Sequence, residues 1–589
     1  MMRTTRGARA AVLLLGVSLA AAACGSSAKK TTTTTAGATV TTVASGGTAT
    51  TAGGSPAATT APATTAAPVA PKGTVTIGAE QEPDCADFIG SCGGSSWGFW
   101  MMGAPVLPRS FDVVKDGENW VPKASLVLSE EPKLDTSGAK PVVAYKISPK
   151  AVWSTGDPIT STDFKYTWDQ IKNGKDIYDT TGYADIEGVD DSKADTAVVT
   201  FSKPFAGWKQ LFGGQYGILP AKILTGKDRN AELKDGFSFS GGPWKIDKWE
   251  KGVSVTLVPN DKYFGEKPKL EKIVFKFVPD SAAEFQAFKA GEVDGIYPQP
   301  QIAVVDAISA GLSADTKSEI NAKTTGGAEA LWINMSKAPF DVLEVRQAFA
   351  YALDRDAIVN RLFGPLGVKT ALQSLNPALV SKYAGTDFAV YKKDLAKVTE
   401  LMTKAGYAKG GDGIWAKGGT KAQFAVRTTA GNKRRELTQE VMIQQFKDAG
   451  FLMTADNLKA GDLFGKAGPS GDFQVALYAQ VATFPDPGLC PVMCSKNIPD
   501  DAGKGGTNWT RTKIPAADPL LEQVDSELDD AKRVTASKAA DKLLAENVAS
   551  LPLDPLPTIL LWNTKKVTGV ADNPVLGPFF TSNQWTLAK

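Results

Sequence analysis

The chain has 589 residues, 43% hydrophobic and 22% charged, with 65 Lys and Arg against 63 Asp and Glu and no histidine. A net charge of +2, with both signs interspersed, gives no electrostatic footprint for nucleic acid. The missing histidine excludes Ser-His-Asp and Cys-His nucleophilic catalysis, the commonest general base and His-ligated zinc.

Arg3, Arg6 and Arg9 precede an apolar run over 10–23, and Cys24 follows small residues. A basic n-region, a short h-region and a small-residue cut predict a secretory signal peptide over 1–23, too short to span a membrane as a stable helix. Cys24 stands where a bacterial lipobox carries its lipidated cysteine, although Ala21 occupies a position where Leu is usual. Ordinary secretion, with Cys24 lost or free, is the alternative. Residues 31–71 carry no charge and consist of Thr and Ala with some Gly, Pro, Val and Ser. So little apolar bulk does not offset ordering entropy, which predicts a disordered tether, ~140 Å long when stretched and about 35 Å as a coil.

From 72 onward the chain is too long for one small domain and predicts two or three. Strand and helix signals alternate, which predicts α/β lobes. Residues 72–77 read as an opening strand and 142–147 as a short β-branched one, and 183–189 with 196–201 as a hairpin. Thr160 and Asp163 start a helix through Phe164, Trp168 and Ile171, with Asp163 at its positive end. Strands follow at 253–259 and 272–278; Asp280 then starts a helix that Gly291 stops. Val345, Phe349, Leu353, Ile358 and Leu362 lie at helical spacing and predict one long helical region over 341–362. Near the end, Asp518 caps a helix over 519–528, a second helix covers 531–548, and 558–562 is a buried strand.

After Cys24, four cysteines form two close pairs, Cys85 with Cys92 and Cys490 with Cys494. Three connectivities are open. Local pairing is the economical one in an exported chain, and a four-cysteine zinc site lacks its usual C-x2-C spacing. Closing such short loops adds little through chain entropy, so these bridges shape particular loops. Catalytic motifs fail on context. Ser137 and Lys140 match S-x-x-K and Lys323-Thr-Thr-Gly326 resembles a K-T-G box, but Pro141 follows Lys140 in a turn and no S-D-N lies between them. The glycines at 413–419 lack the Lys-Ser/Thr of a P-loop, and the acidic run 185–195 lacks EF-hand order. Neither an enzyme nor a cofactor or metal is expected.

Five landmarks occur in order. They are Trp153-Ser-Thr-Gly-Asp-Pro-Ile-Thr-Ser-Thr-Asp163, then Gly241-Gly-Pro-Trp-Lys-Ile-Asp-Lys-Trp249 with Asn260-Asp-Lys-Tyr-Phe264, and Lys267-Pro-Lys-Leu-Glu-Lys-Ile273. Ala287-Phe-Lys-Ala-Gly-Glu-Val-Asp294 and Asn334-Met-Ser-Lys-Ala-Pro-Phe-Asp341, running on to Arg355, complete the set. Together they resemble, over nearly all of 75–567, the extracytoplasmic solute-binding proteins of ABC importers, in the family that binds oligopeptides, dipeptides and nickel chelates (family 5). Thr155 stands where that family usually has Asp. The resemblance implies a type II periplasmic-binding-protein fold: two α/β lobes with a hinge and an extra subdomain, solute enclosed between the lobes, and a closed form that a permease recognises. On that basis 72–100, 221–328 and 556–589 build lobe I, 101–220 the additional subdomain and 329–555 lobe II, after a signal peptide over 1–23 and a tether over 24–71. A monomer anchored by Cys24 to the outer face of the membrane, delivering a peptide or other elongated solute to an ABC importer, is expected. A sensory or structural lipoprotein on the same scaffold and a secreted hydrolase are the alternatives.

In peptide-binding members of this family, an acidic residue in a segment like A-D-Y-x-D-P pairs with the peptide's α-amino group. Here Ala482-Thr-Phe-Pro-Asp-Pro487 puts Thr483 at that position. Either Asp486 or Glu82 takes over, or the solute has no free amino terminus there; Asp486 equally fits a turn between two prolines. Trp97, Trp100, Tyr478 and Phe484 are candidate aromatic surfaces for an extended ligand, against the commoner use of aromatics as core. Trp97 and Trp100, in a glycine-containing stretch just past a disulfide loop, are expected to stay incompletely buried. A bridge between Cys490 and Cys494 is expected to brace the wall that holds Thr483.

Overall fold

A computed structural model describes residues 71–589 except 215, 299–301, 502 and 504. The expected signal peptide, Cys24 and all but the last residue of the tether lie outside the described residues. Thr74–Ala79 buries Val75 and Ile77 on one face and pairs in parallel with Lys272–Phe277 on one side and Gly295–Ile296 on the other. Antiparallel partners extend this to a seven-stranded sheet, with Ser254–Pro259 and Trp244–Glu250 at one end and Thr558–Asn563 and Thr316–Asn321 at the other.

A second, five-stranded sheet runs in the order Leu452–Leu458, Gln423–Thr429, Val475–Val481, Gly327–Ile333, Leu551–Pro555. Every residue of Gly327–Ile333 is buried, as befits a strand covered on both faces. A four-stranded sheet holds the predicted hairpin, Ile186–Lys193 against Thr196–Phe201. Beside it, Asp163 of helix Ser161–Asn173 accepts the Thr160 and Ala221 N–H groups and the Trp153 indole N–H, at 2.9, 2.8 and 3.2 Å. The first landmark is thus a knot of turn and helix start.

Strand alternation divides Thr558–Asn563 between two hydrophobic cores. Ile559 and Leu561 join the core of the five-stranded sheet, while Leu560 and Trp562 join the one beneath the seven- and four-stranded sheets. The chain crosses between the two large sheets at 322–326 and again at 556–557. Both crossings are short and they bond to each other: Thr325 Oγ1 donates to the Leu556 carbonyl at 2.7 Å, and the Leu556 N–H to the Gly327 carbonyl at 3.0 Å. Among the described residues, no helix is long and apolar enough to cross a membrane.

Two local expectations need correction. The stretch 341–362 is two helices, Leu343–Tyr351 and Arg355–Phe363, because Asp354 accepts the Ala357 N–H at 2.9 Å and starts the second. Asp518 is the first residue of its helix rather than its cap; its carboxylate instead accepts the Ser495 N–H at 2.9 Å, just beyond the second disulfide.

Candidate functional site

Residues 81–100 leave the seven-stranded sheet at Ala79 and meet Val475–Val481 of the five-stranded sheet across a cavity of about 90 Å³. Trp97, Trp100, Tyr478, Phe464 and Trp509 line it. A second cavity of about 220 Å³ shares Tyr178, Gln480, Val481 and Thr483 with the first and is lined further by Asp179, Asp486 and Asp525. The two adjoin along these four residues.

The first wall is a tightly turned loop. Cys85 is bonded to Cys92, and Ser95 Oγ then accepts the Gly98 N–H at 3.1 Å to start a short helical run through Trp97 and Trp100. Trp97 and Trp100 are only 1% and 6% exposed, which corrects the expectation of incomplete burial. Their rings meet edge to face at 5.6 Å; Tyr297 lies 5.2 Å from Trp100 and Phe579 6.0 Å from Trp97. Gly577 is what lets Trp100 in: a Cβ there would sit 2.2 Å from the indole. Trp97 Nε1 is buried with no hydrogen-bond partner among the described residues, a donor facing no protein acceptor.

On the other wall, Tyr478 stacks on Trp332 at 5.2 Å and meets Phe464 edge to face at 5.7 Å. Arg435, which also lines the cavity, is not a free cation. Its Nε and Nη2 donate to Glu329 at 2.6 and 3.1 Å, its Nη1 to Thr429 Oγ1 at 3.0 Å, and Arg434 adds a third bond to Glu329 at 3.1 Å. Burial works to raise the Glu329 carboxyl, but Arg434 and Arg435 overcome it and hold it below the ordinary range.

Thr483 faces both cavities, and Phe484 and Asp486 the larger one. The Cys490–Cys494 bond follows at once, with Leu489 and Pro491 in the same lining. Both carboxylates named as substitutes at the Thr483 position are engaged. Asp486 is gripped by Arg533 through two bonds of 2.9 and 3.1 Å. Glu82 accepts the Trp249 indole N–H at 2.8 Å and the Gly252 N–H at 2.9 Å, and borders a small side pocket rather than either main cavity. Sequence reasoning missed Arg435, Phe464, Trp509 and Asp525. For Asp525 a signal existed: an acidic residue beside Val524 and one turn past Leu521, at the edge of an apolar helix face.

Residues 128–496 match the family described as bacterial extracellular solute-binding proteins, family 5, middle. An oligopeptide-binding protein, OppA, of Mycobacterium tuberculosis is 26% identical over 490 residues, covering 79% of this chain and 78% of its own. The oligopeptide-binding protein AppA of Bacillus subtilis, solved with a nonapeptide, superposes with a TM-score of 0.77 at 21% identity, over 89% of this chain and 100% of its own. NikZ of Campylobacter jejuni, solved with Ni(L-His), gives 0.75 at 20% identity, over 88% and 100%. At such identity these structures show the fold, the two-lobed type II periplasmic-binding arrangement with its additional subdomain.

Proposed function

Because the chain belongs to the family 5 bacterial extracellular solute-binding proteins, we propose that it is a lipid-anchored extracytoplasmic receptor that encloses a peptide or other elongated solute and delivers it to an ABC importer permease. The observation that carries this reading is the aromatic cavity between residues 81–100 and Val475–Val481, which adjoins a larger one. Indole and phenol faces there supply wide, sequence-tolerant contact, and Gln480 and Thr483 supply polar contacts for a backbone. The oligopeptide-binding relatives and the nonapeptide held by AppA support the choice of an elongated solute. The lobe and subdomain boundaries given above, with a monomer as the working form, belong to the same reading. Closure then turns on the two bonded crossings at 322–326 and 556–557.

Intrinsic fluorescence of the purified chain, titrated with pools of peptides of graded length, tests the reading. A saturable emission change with elongated peptides is expected, and Tyr478→Ala should weaken it at least tenfold. No response to any pool, with no ligand carried through purification by mass spectrometry, would overturn it. The anchor rests on Cys24 and its flanking residues. Cys24→Ala is expected to shift the protein from the membrane fraction to the soluble one with solute affinity unchanged, and a wild-type protein without an acyl group would refute the lipoprotein assignment.

A further inference from the structure

Three aspartates line the larger cavity, and their oxygens are used differently. Asp486 is bound by both terminal nitrogens of Arg533. Asp179 Oδ1 accepts the N–H and hydroxyl of Thr181, at 3.0 and 2.8 Å. Asp525 is half-buried, lines the cavity and makes no hydrogen bond or ion pair through its carboxylate among the described residues. Its backbone is fixed all the same. It lies in helix Asp518–Ser526, anchored by buried Leu521 and Val524, and its carbonyl accepts the Ala206 N–H at 2.7 Å from the opposite side of the cleft. A half-buried carboxyl on a rigid helix, lining a cavity and bonded to no donor among the described residues, is free to accept one from a solute. The cavity adjoins the aromatic one along Tyr178, Gln480, Val481 and Thr483, so a solute that spans these residues touches both.

We propose that Asp525 sets the charge selectivity of the cleft, pairing with a cationic group, an ammonium or guanidinium, of a solute whose remainder lies along the aromatic wall. This rests on the solute-binding reading above. The family position for an amine partner is Thr483, which cannot neutralise a cation, and Glu82 and Asp486 are both engaged. Burial, then Asp486 and Asp179, push the Asp525 carboxyl up to about 8, against Lys496 and Arg533, which act to lower it. Near neutral pH it therefore holds a proton, which passes to solvent when a cation arrives. Neutral solutes meet an uncharged carboxyl, and anionic ones meet Asp179 and Asp486.

The test uses pooled synthetic pentapeptides of matched composition carrying either Lys or norleucine at one position, each free or N-acetylated, with retention on the protein read by mass spectrometry after gel filtration. Wild type is expected to retain amine-bearing peptides at least tenfold over the acetylated norleucine pool, and Asp525→Asn to reduce that ratio at least tenfold. A preference that survives acetylation assigns the cation to the side chain; one lost on acetylation assigns it to the α-amino group; either supports the proposal. Calorimetry at pH 7 in two buffers of different ionisation enthalpy should show net proton release when wild type binds an amine-bearing peptide and none for Asp525→Asn. A wild type without cation preference, or a variant with the same preference and proton release, overturns the proposal and leaves the solute-binding reading standing. Failure of wild type to retain any pool overturns both.

Discussion

Glu329→Gln is expected to lower the stability of the five-stranded lobe by about 3–5 kcal/mol, because it removes the buried carboxylate that two arginines share. Glu329 is fully buried on Gly327–Ile333, bonded by Arg435 at 2.6 and 3.1 Å and by Arg434 at 3.1 Å, and both guanidinium groups are themselves buried. Asp554 on the next strand shapes the outcome. Burial holds its carboxyl up at about 7, with Arg434 pulling it down and Glu329 pushing it up. Once Glu329 is neutral, that push is gone and Asp554 ionises in its place. Asp554→Asn added to Glu329→Gln should therefore cost more than the two single changes summed, a coupling that urea unfolding of the four proteins would measure. Additive losses would refute the shared network. Arg435 also lines the aromatic cavity, so Glu329→Gln should weaken solute binding as well.

Stability should fall as pH rises from about 4 to about 7, and Asp572 is one cause. Its carboxyl is buried and held up at about 7, first by burial and further by Glu319, although Thr558 Oγ1 donates to it at 2.7 Å. The unfolded chain releases that proton near 3.8, the ordinary value, while the folded chain keeps it until about 7. Between those values the folded state binds more protons, so rising pH favours unfolding by as much as ~1.4 kcal/mol per pH unit for this group, and the loss is complete above about 7. Asp541, held at about 6, adds to the same trend. Asp572→Asn keeps the shape and removes the titration, so its urea midpoint should gain on wild type steadily from pH 4 to pH 7 and then run parallel. Parallel curves across the whole range would show that Asp572 is ionised in the folded protein.

Helix starts were legible because a cap and its helix lie within a few residues of each other. Asp280 and Thr160 begin the helices expected of them, as Asp354 begins one that the apolar spacing of 341–362 had hidden. That spacing continues across the break because Val345 and Phe349 on one helix and Ile358 and Leu362 on the next bury against the same core. Both disulfides pair cysteines close in sequence, as the economical reading has it. The aromatic residues of the cleft were half legible: Trp97, Trp100 and Tyr478 line it, but Phe464 and Trp509 carry no local mark that separates them from core.

The sequence by itself determined the class of the molecule: alternating strands and helices, their caps, the order of the landmarks and, through the absence of histidine, the chemistries ruled out. These are properties of hydrophobic period and of neighbours a turn apart, which one dimension records. Which carboxylate is available to a solute was decided by the tertiary structure alone. Glu82 is claimed by Trp249, 167 residues away, and Asp486 by Arg533, 47 residues away, while the Asp525 carboxylate makes no hydrogen bond or ion pair among the described residues. Charge pairing depends on ångströms in space and on the water removed around each group, and neither can be read along the chain.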